Sequence, residues 1–157
     1  MICHMRHRIL QVIATPASLR AELQREHPPL LFDVEPMLVD WDASSRELEE
    51  AVFELARQIP PTRAVGLVTN SRRAVPASLP PHWVYRNRAH KPFCRLPRAW
   101  QGATVIGDQP LLDGLIAWRL QGCFARVLLP PDAPPIARLQ LILGDIFCGA
   151  FIHAVAK

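Results

Sequence analysis

The chain has 157 residues, half of them apolar and 20% charged, with a formal net charge of +4. This is the composition of one globular domain, and it excludes disordered, collagenous and low-complexity classes. Cys3, Cys94, Cys123 and Cys148 show neither CxxC nor Cys/His ligand spacing, which argues against structural zinc and a disulfide framework and fits a reducing cytoplasm.

In "MICHMRHRILQVIA", Arg6 and Arg8 precede an apolar run too short for a secretory core. "TPASLRAELQREH" predicts a short helix, with Thr15 as N-cap, Pro16 at the first helical position and Pro28 and Pro29 beyond its end. "LLFDV" (30–34) is apolar on both faces and reads as a buried strand. "SSRELEEAVFELARQI" is the clearest helix. Ser44 and Glu47 form a capping-box pattern, Leu48, Val52, Leu55 and Ile59 recur at helical spacing, and Pro60 and Pro61 close it. Further strands are expected at 64–70, 82–86, 103–108 and 124–131, and a helix at 111–122 stops at Gly122. The apolar tail predicts a helix over about 135–156.

Alternating strand and helix patterns, with strands apolar on both faces, predict a single α/β domain over 1–157. Its centre is a parallel, doubly wound sheet of five strands flanked by helices. In such sheets ligands sit beyond the carboxyl ends of the strands. The residues there are Asp33 with Glu35, Thr69 with Asn70, Lys91 in "RAHKPF", and Asp108 with Asp113. The carboxylates offer hard oxygen ligands suited to Mg²⁺ rather than zinc. A cation, an ammonium and a hydroxyl around a carboxylate nucleophile are what phosphoryl transfer requires.

Four stretches, "LLFDVEPML", "VGLVTN", "HKP" and "VIGDQPLLDG", resemble in order the motifs of the haloacid dehalogenase (HAD) superfamily of phosphatases. The short, insertion-free chain is similar to its YqeG-like branch, which includes phosphatidylglycerophosphate phosphatases. The likeness covers about residues 10–132, with the motif-bearing core at about 28–132. It implies a HAD-like Rossmannoid three-layer fold and a Mg²⁺-dependent phosphatase acting through an aspartyl-phosphate. Asp33 would be the nucleophile and Glu35 the general acid and base. Thr69, Asn70 and Lys91 would bind the phosphoryl group. Asp33, Glu35 (through its backbone carbonyl), Asp108 and Asp113 would hold the metal. The first motif departs from the family pattern: Glu35 stands for an aspartate and Met37 for a threonine. A displacement of ~1 Å from the extra methylene can lower a rate roughly 10²-fold. The alternative is therefore a degenerate member that binds phosphate, metal or a partner protein without turnover.

About thirty-five residues separate Asp33 from Thr69 and one helix occupies most of them, so no large cap domain fits there. An open site resembles those that act on bulky phosphorylated substrates, a small molecule or a lipid headgroup. Between Leu55 and Gly107 there is no acid, while Arg57, Arg63, Arg72, Arg73, Arg86, Arg88, Lys91, Arg95 and Arg98 fall there. Two readings stand: an anion-attracting surface, or a solvated one balanced by acids in space. The tail fits a helix packed on the sheet or in an oligomer interface, or one at a membrane surface, which would make the protein cytoplasmic and peripheral. Nucleic-acid binding through Trp83, Tyr85 and Phe93 is disfavoured, because those rings read as core. Cys94 is expected as a buried structural thiol, and His82 and His90 as surface or satisfied histidines.

Overall fold

A computed structural model describes residues 9–128, 135–148 and 152–156. In chain order the elements are β1 (Ile9–Ile13), α1 (Pro16–Leu23), β2 (Leu30–Asp33), α2 (Ser45–Gln58), β3 (Val65–Val68) and β4 (Val84–Arg86). They continue with β5 (Thr104–Gly107), α3 (Leu115–Arg119), β6 (Cys123–Arg126), α4 (Pro135–Cys148) and β7 (Ile152–Ala156). The helix starts follow local chemistry. Ser44 caps α2 by accepting from the Glu47 N–H, while the Glu47 carboxylate accepts from the Ser44 N–H at 2.6 Å. Thr15 caps α1 in the same reciprocal way, with Ser18 in the second role.

The strands form one all-parallel sheet in the order β4-β3-β2-β5-β6-β1-β7. Five consecutive strands, β4 to β6, are those expected from the sequence. The sheet is nonetheless larger than expected, because β1 and β7 extend it to seven strands. The expected tail helix over 135–156 is corrected too: α4 ends at Cys148 and Ile152–Ala156 pairs with β1. The chain between them, 149–151, lies outside the described residues, as do 1–8, 129–134 and 157. The expected helix 111–122 is shorter and begins as a π-helical turn, Pro110–Gly114, before α3.

Side chains alternate across the sheet. Leu30, Phe32, Val65 and Leu67 pack with Leu48, Val52 and Leu55 of α2. Leu31, Val68 and Val105 face the other way, against Ile116, Ala117, Leu120 and Trp100. Helices thus cover both faces, as a parallel sheet requires. From β2 the chain moves outward through β3 and β4, then crosses to β5 on the other side of β2. The carboxyl ends of β2 and β5 therefore flank the switch point where such folds open a crevice.

Candidate functional site

Asp33 is the last residue of β2, and Asp108 follows the last residue of β5. Strand pairing fixes their proximity, since Phe32 is in register with Ile106. Asp113 comes from the π-helical turn, where the N–H groups of Asp113 and Gly114 both donate to the Gln109 carbonyl. Its carboxylate lies over Gly107: a Cβ there would fall 2.3 Å from Asp113 Oδ2. The glycine of "IGD" is thus explained by the close approach of the acid above it. One oxygen from each of Asp33, Asp108 and Asp113 falls within a 4.8 Å cluster, and all three residues are buried.

Lys91 is brought in by the loop after β4, which is zipped to the loop after β3. Thr69 N–H donates to the Arg86 carbonyl, Ala89 N–H to the Thr69 carbonyl, and Arg88 N–H to the Ser71 carbonyl, each at 2.9 Å. The Lys91 N–H donates to Asn70 Oδ1 at 2.7 Å. Arg88 and His90 adopt φ of 46° and 54°, a left-handed backbone uncommon outside glycine. The buried Lys91 ammonium then lies 2.5 Å from Asp33 and 3.0 Å from Asp113.

Three carboxylates against one ammonium leave the centre short of positive charge. Burial and the neighbouring Asp113 hold the Asp33 carboxyl well above the usual carboxylate range, although Lys91 pulls the other way. Burial, then Asp113, pushes Asp108 up to about 7. Burial disfavours the Lys91 ammonium, but Asp113 and Asp33 outweigh it and raise its pKa. Among the described residues no well-formed hydrogen bond reaches either buried Asp108 oxygen, although its own N–H and the Gln109 side chain lie close enough to lower its pKa somewhat. Buried polar atoms are nearly always satisfied, so orphaned acceptors beside two more carboxylates fit a hard cation.

Comparison with family models, curated proteins and solved structures finds no match.

All seven candidates from the sequence gather around this crevice, in two groups. Asp33, Lys91, Asp108 and Asp113 form the charged centre. Glu35 and Thr69 bind each other: the Thr69 hydroxyl donates to Glu35 Oε2 at 2.5 Å. Glu35 also accepts from Ser71 Oγ at 3.1 Å and from Arg73 Nε at 2.6 Å. Its carboxylate is therefore not among the three clustered ones. Asn70 positions Lys91 through its backbone. A cavity of about 240 Å³ opens here, lined by Asp33, Glu35, Trp41, Thr69, Asn70, Ser71, Lys91, Gln109, Leu112 and Gln140.

Two residues with structural work at the site carried no sequence signal. Ser71 bonds Glu35, and Arg73 ties Glu35 to the carbonyls of Asp40, Trp41 and Ala43, fixing the loop after β2. Arg73 was legible only as one more member of a basic run. Met37 is partly buried and packs against the core. Cys94 is buried, and burial raises its thiol pKa, as a structural cysteine should behave. His82 and His90 are exposed. Trp83 is core and Tyr85 packs on it, but Phe93 is 75% exposed, contrary to expectation.

Proposed function

We propose that this chain is a Mg²⁺-dependent phosphohydrolase that cleaves a phosphate monoester through an acyl phosphate on Asp33. The observation that carries the reading is the convergence of Asp33, Asp108 and Asp113 at the switch point, with both Asp108 oxygens lacking a well-formed hydrogen bond among the described residues and Lys91 on Asp33. The resemblance of four ordered motifs to HAD phosphatases supports it.

In this reading Asp33, Asp108 and Asp113 hold the cation, which when bound neutralises charge on the phosphoryl oxygens. An Asp33 oxygen attacks phosphorus, the bond to the leaving oxygen breaks, and that oxygen takes up a proton. Water then attacks the acyl phosphate, releasing inorganic phosphate and restoring the carboxylate. Lys91 offsets the negative charge gathered at Asp33 and keeps its oxygen directed. Thr69 binds a phosphoryl oxygen only after turning its hydroxyl from Glu35, and Glu35 serves as proton carrier only after leaving Arg73.

The test is phosphate release, with and without Mg²⁺, from p-nitrophenyl phosphate, glycerol phosphate and phosphatidylglycerophosphate, the last being the substrate that the resemblance implies. Hydrolysis that needs Mg²⁺ and vanishes in Asp33→Asn is expected. Wild type as inert as the variant across the panel overturns the reading.

The Glu35–Arg73 ion pair favours a second reading, binding without turnover, because it occupies the group that would move protons. Glu35→Asp with Met37→Thr would then create hydrolysis absent from wild type.

A further inference from the structure

Helix α4 turns a row of large apolar side chains to solvent. Leu139, Ile142, Leu143, Ile146 and Phe147 are 40–67% exposed. Their spacing of three and four residues puts them on one helical face. The helix is anchored elsewhere on its surface, where Gly144 meets Pro110 of the π-helical turn. Contiguous exposed rows of this kind mark docking surfaces.

Charge indicates what docks. The sole acid of α4, Asp145, is held by Arg126 through bonds of 2.6 and 3.2 Å. Arg138, at the start of α4, is exposed. Gln140 of the same helix lines the cavity that contains Asp33, so the apolar row borders the mouth of the site. At the carboxyl ends of β3 and β4, on the same edge of the sheet, Arg72, Arg86 and Arg88 are exposed and outnumber the exposed Asp40 and Asp42 of the neighbouring loop. Apolar area together with cations is what an anionic lipid surface attracts. A second copy would cover the apolar row equally well, but each chain carries +4 and would meet its own charge sign. No described helix is long and apolar enough to cross a membrane, and α4 itself carries one basic residue, Arg138, so the cations at this edge come mainly from the loops after β3 and β4.

We infer that this edge docks on an anionic bilayer, with α4 lying in the interface and the arginines at the headgroups, so that the cavity opens toward the lipid surface.

The test is co-sedimentation of the full chain with phosphatidylcholine vesicles, with and without phosphatidylglycerol, alongside light scattering of the protein alone. Binding to the anionic vesicles is expected, weakening as salt rises. Ile142→Glu and Ile146→Glu should each lower partitioning about tenfold or more while leaving the melting temperature and the hydrolysis of a soluble ester as in wild type. Absence from every vesicle pellet overturns the inference. So does a wild-type dimer that Ile146→Glu converts to monomer, which would assign the row to a second copy. Binding is read without turnover, so this inference and the phosphohydrolase reading fail independently.

Discussion

At the amino ends of the strands, Arg63 is wholly enclosed and every nitrogen of its guanidinium has a partner. Nε donates to the Pro28 carbonyl at 2.8 Å, one terminal nitrogen donates to the carbonyls of Glu22 and Leu23, and the other meets the Glu22 carboxylate at 2.8 Å. At the carboxyl ends of the same sheet Asp108 is as deeply enclosed, yet among the described residues its two oxygens find no well-formed hydrogen bond and two more acids crowd it. The first cluster ties α1 to the turns entering β2 and β3. The second holds unsatisfied acceptors beneath a cavity that Asp33, Lys91 and Gln109 line. Burial of charge alone therefore does not mark a functional site; burial with the balance left open does.

The comparison breaks most sharply through substitution on each side. Asp33→Asn removes the proposed nucleophile and should lower phosphate release at least ~10⁴-fold, measured by steady-state kinetics, with the fold retained by circular dichroism. Arg63→Met should do the opposite. It leaves the carbonyls of Glu22, Leu23 and Pro28 without the guanidinium and the Glu22 carboxylate with only Arg25 and Thr104, costing about 3 kcal/mol in urea unfolding, with the turnover of folded molecules unchanged. A neutral Arg63→Met would show that the satisfied cluster does not hold the fold together.

Mg²⁺ sharpens the contrast. At a hundredfold excess over its dissociation constant it should stabilise wild type by ~2.7 kcal/mol. In Asp108→Asn a thermal melt should show that gain lost, while the metal-free variant melts above metal-free wild type because one crowded charge is gone. Arg73→Ala should be milder, raising KM about tenfold as the Trp41 loop and Glu35 lose their anchor.

The remaining effect is in pH. The folded-state pKa of Asp108, about 7, lies above its ordinary value of 3.8. Between those values the native protein binds more protons than the unfolded chain. Stability without metal should therefore fall as pH rises from about 4 to about 7. Urea midpoints across that range check the sign, and added Mg²⁺ should flatten the slope.

Much of this was legible in the sequence where the signal is local. The Ser44–Glu47 box, the Thr15–Pro16 start and five apolar strands follow from spacing and caps, and with them the positions of Asp33, Thr69, Lys91 and Asp108 at strand ends. The hidden parts depend on distant partners. β7 is a strand only because β1 lies beside it, more than 140 residues earlier, and a short apolar run does not by itself distinguish strand from helix. Arg63 and Arg73 look like surface charges until Glu22 and Glu35, 41 and 38 residues away, are brought to them. The acid-free stretch is accordingly less basic in space than on paper, since Arg63, Arg73 and Lys91 are each spoken for by an acid from outside it.

The zipper between the loops after β3 and β4 makes the Thr69 hydroxyl and the Lys91 ammonium parts of one mechanical cassette. They are wired to each other by main-chain bonds as well as to their own strands, so a shift in the peripheral strand β4 would carry both together and leave the aspartates on β2 and β5 behind. The spacing between cassette and acids, more than the position of either, is the coordinate along which this crevice would open and close.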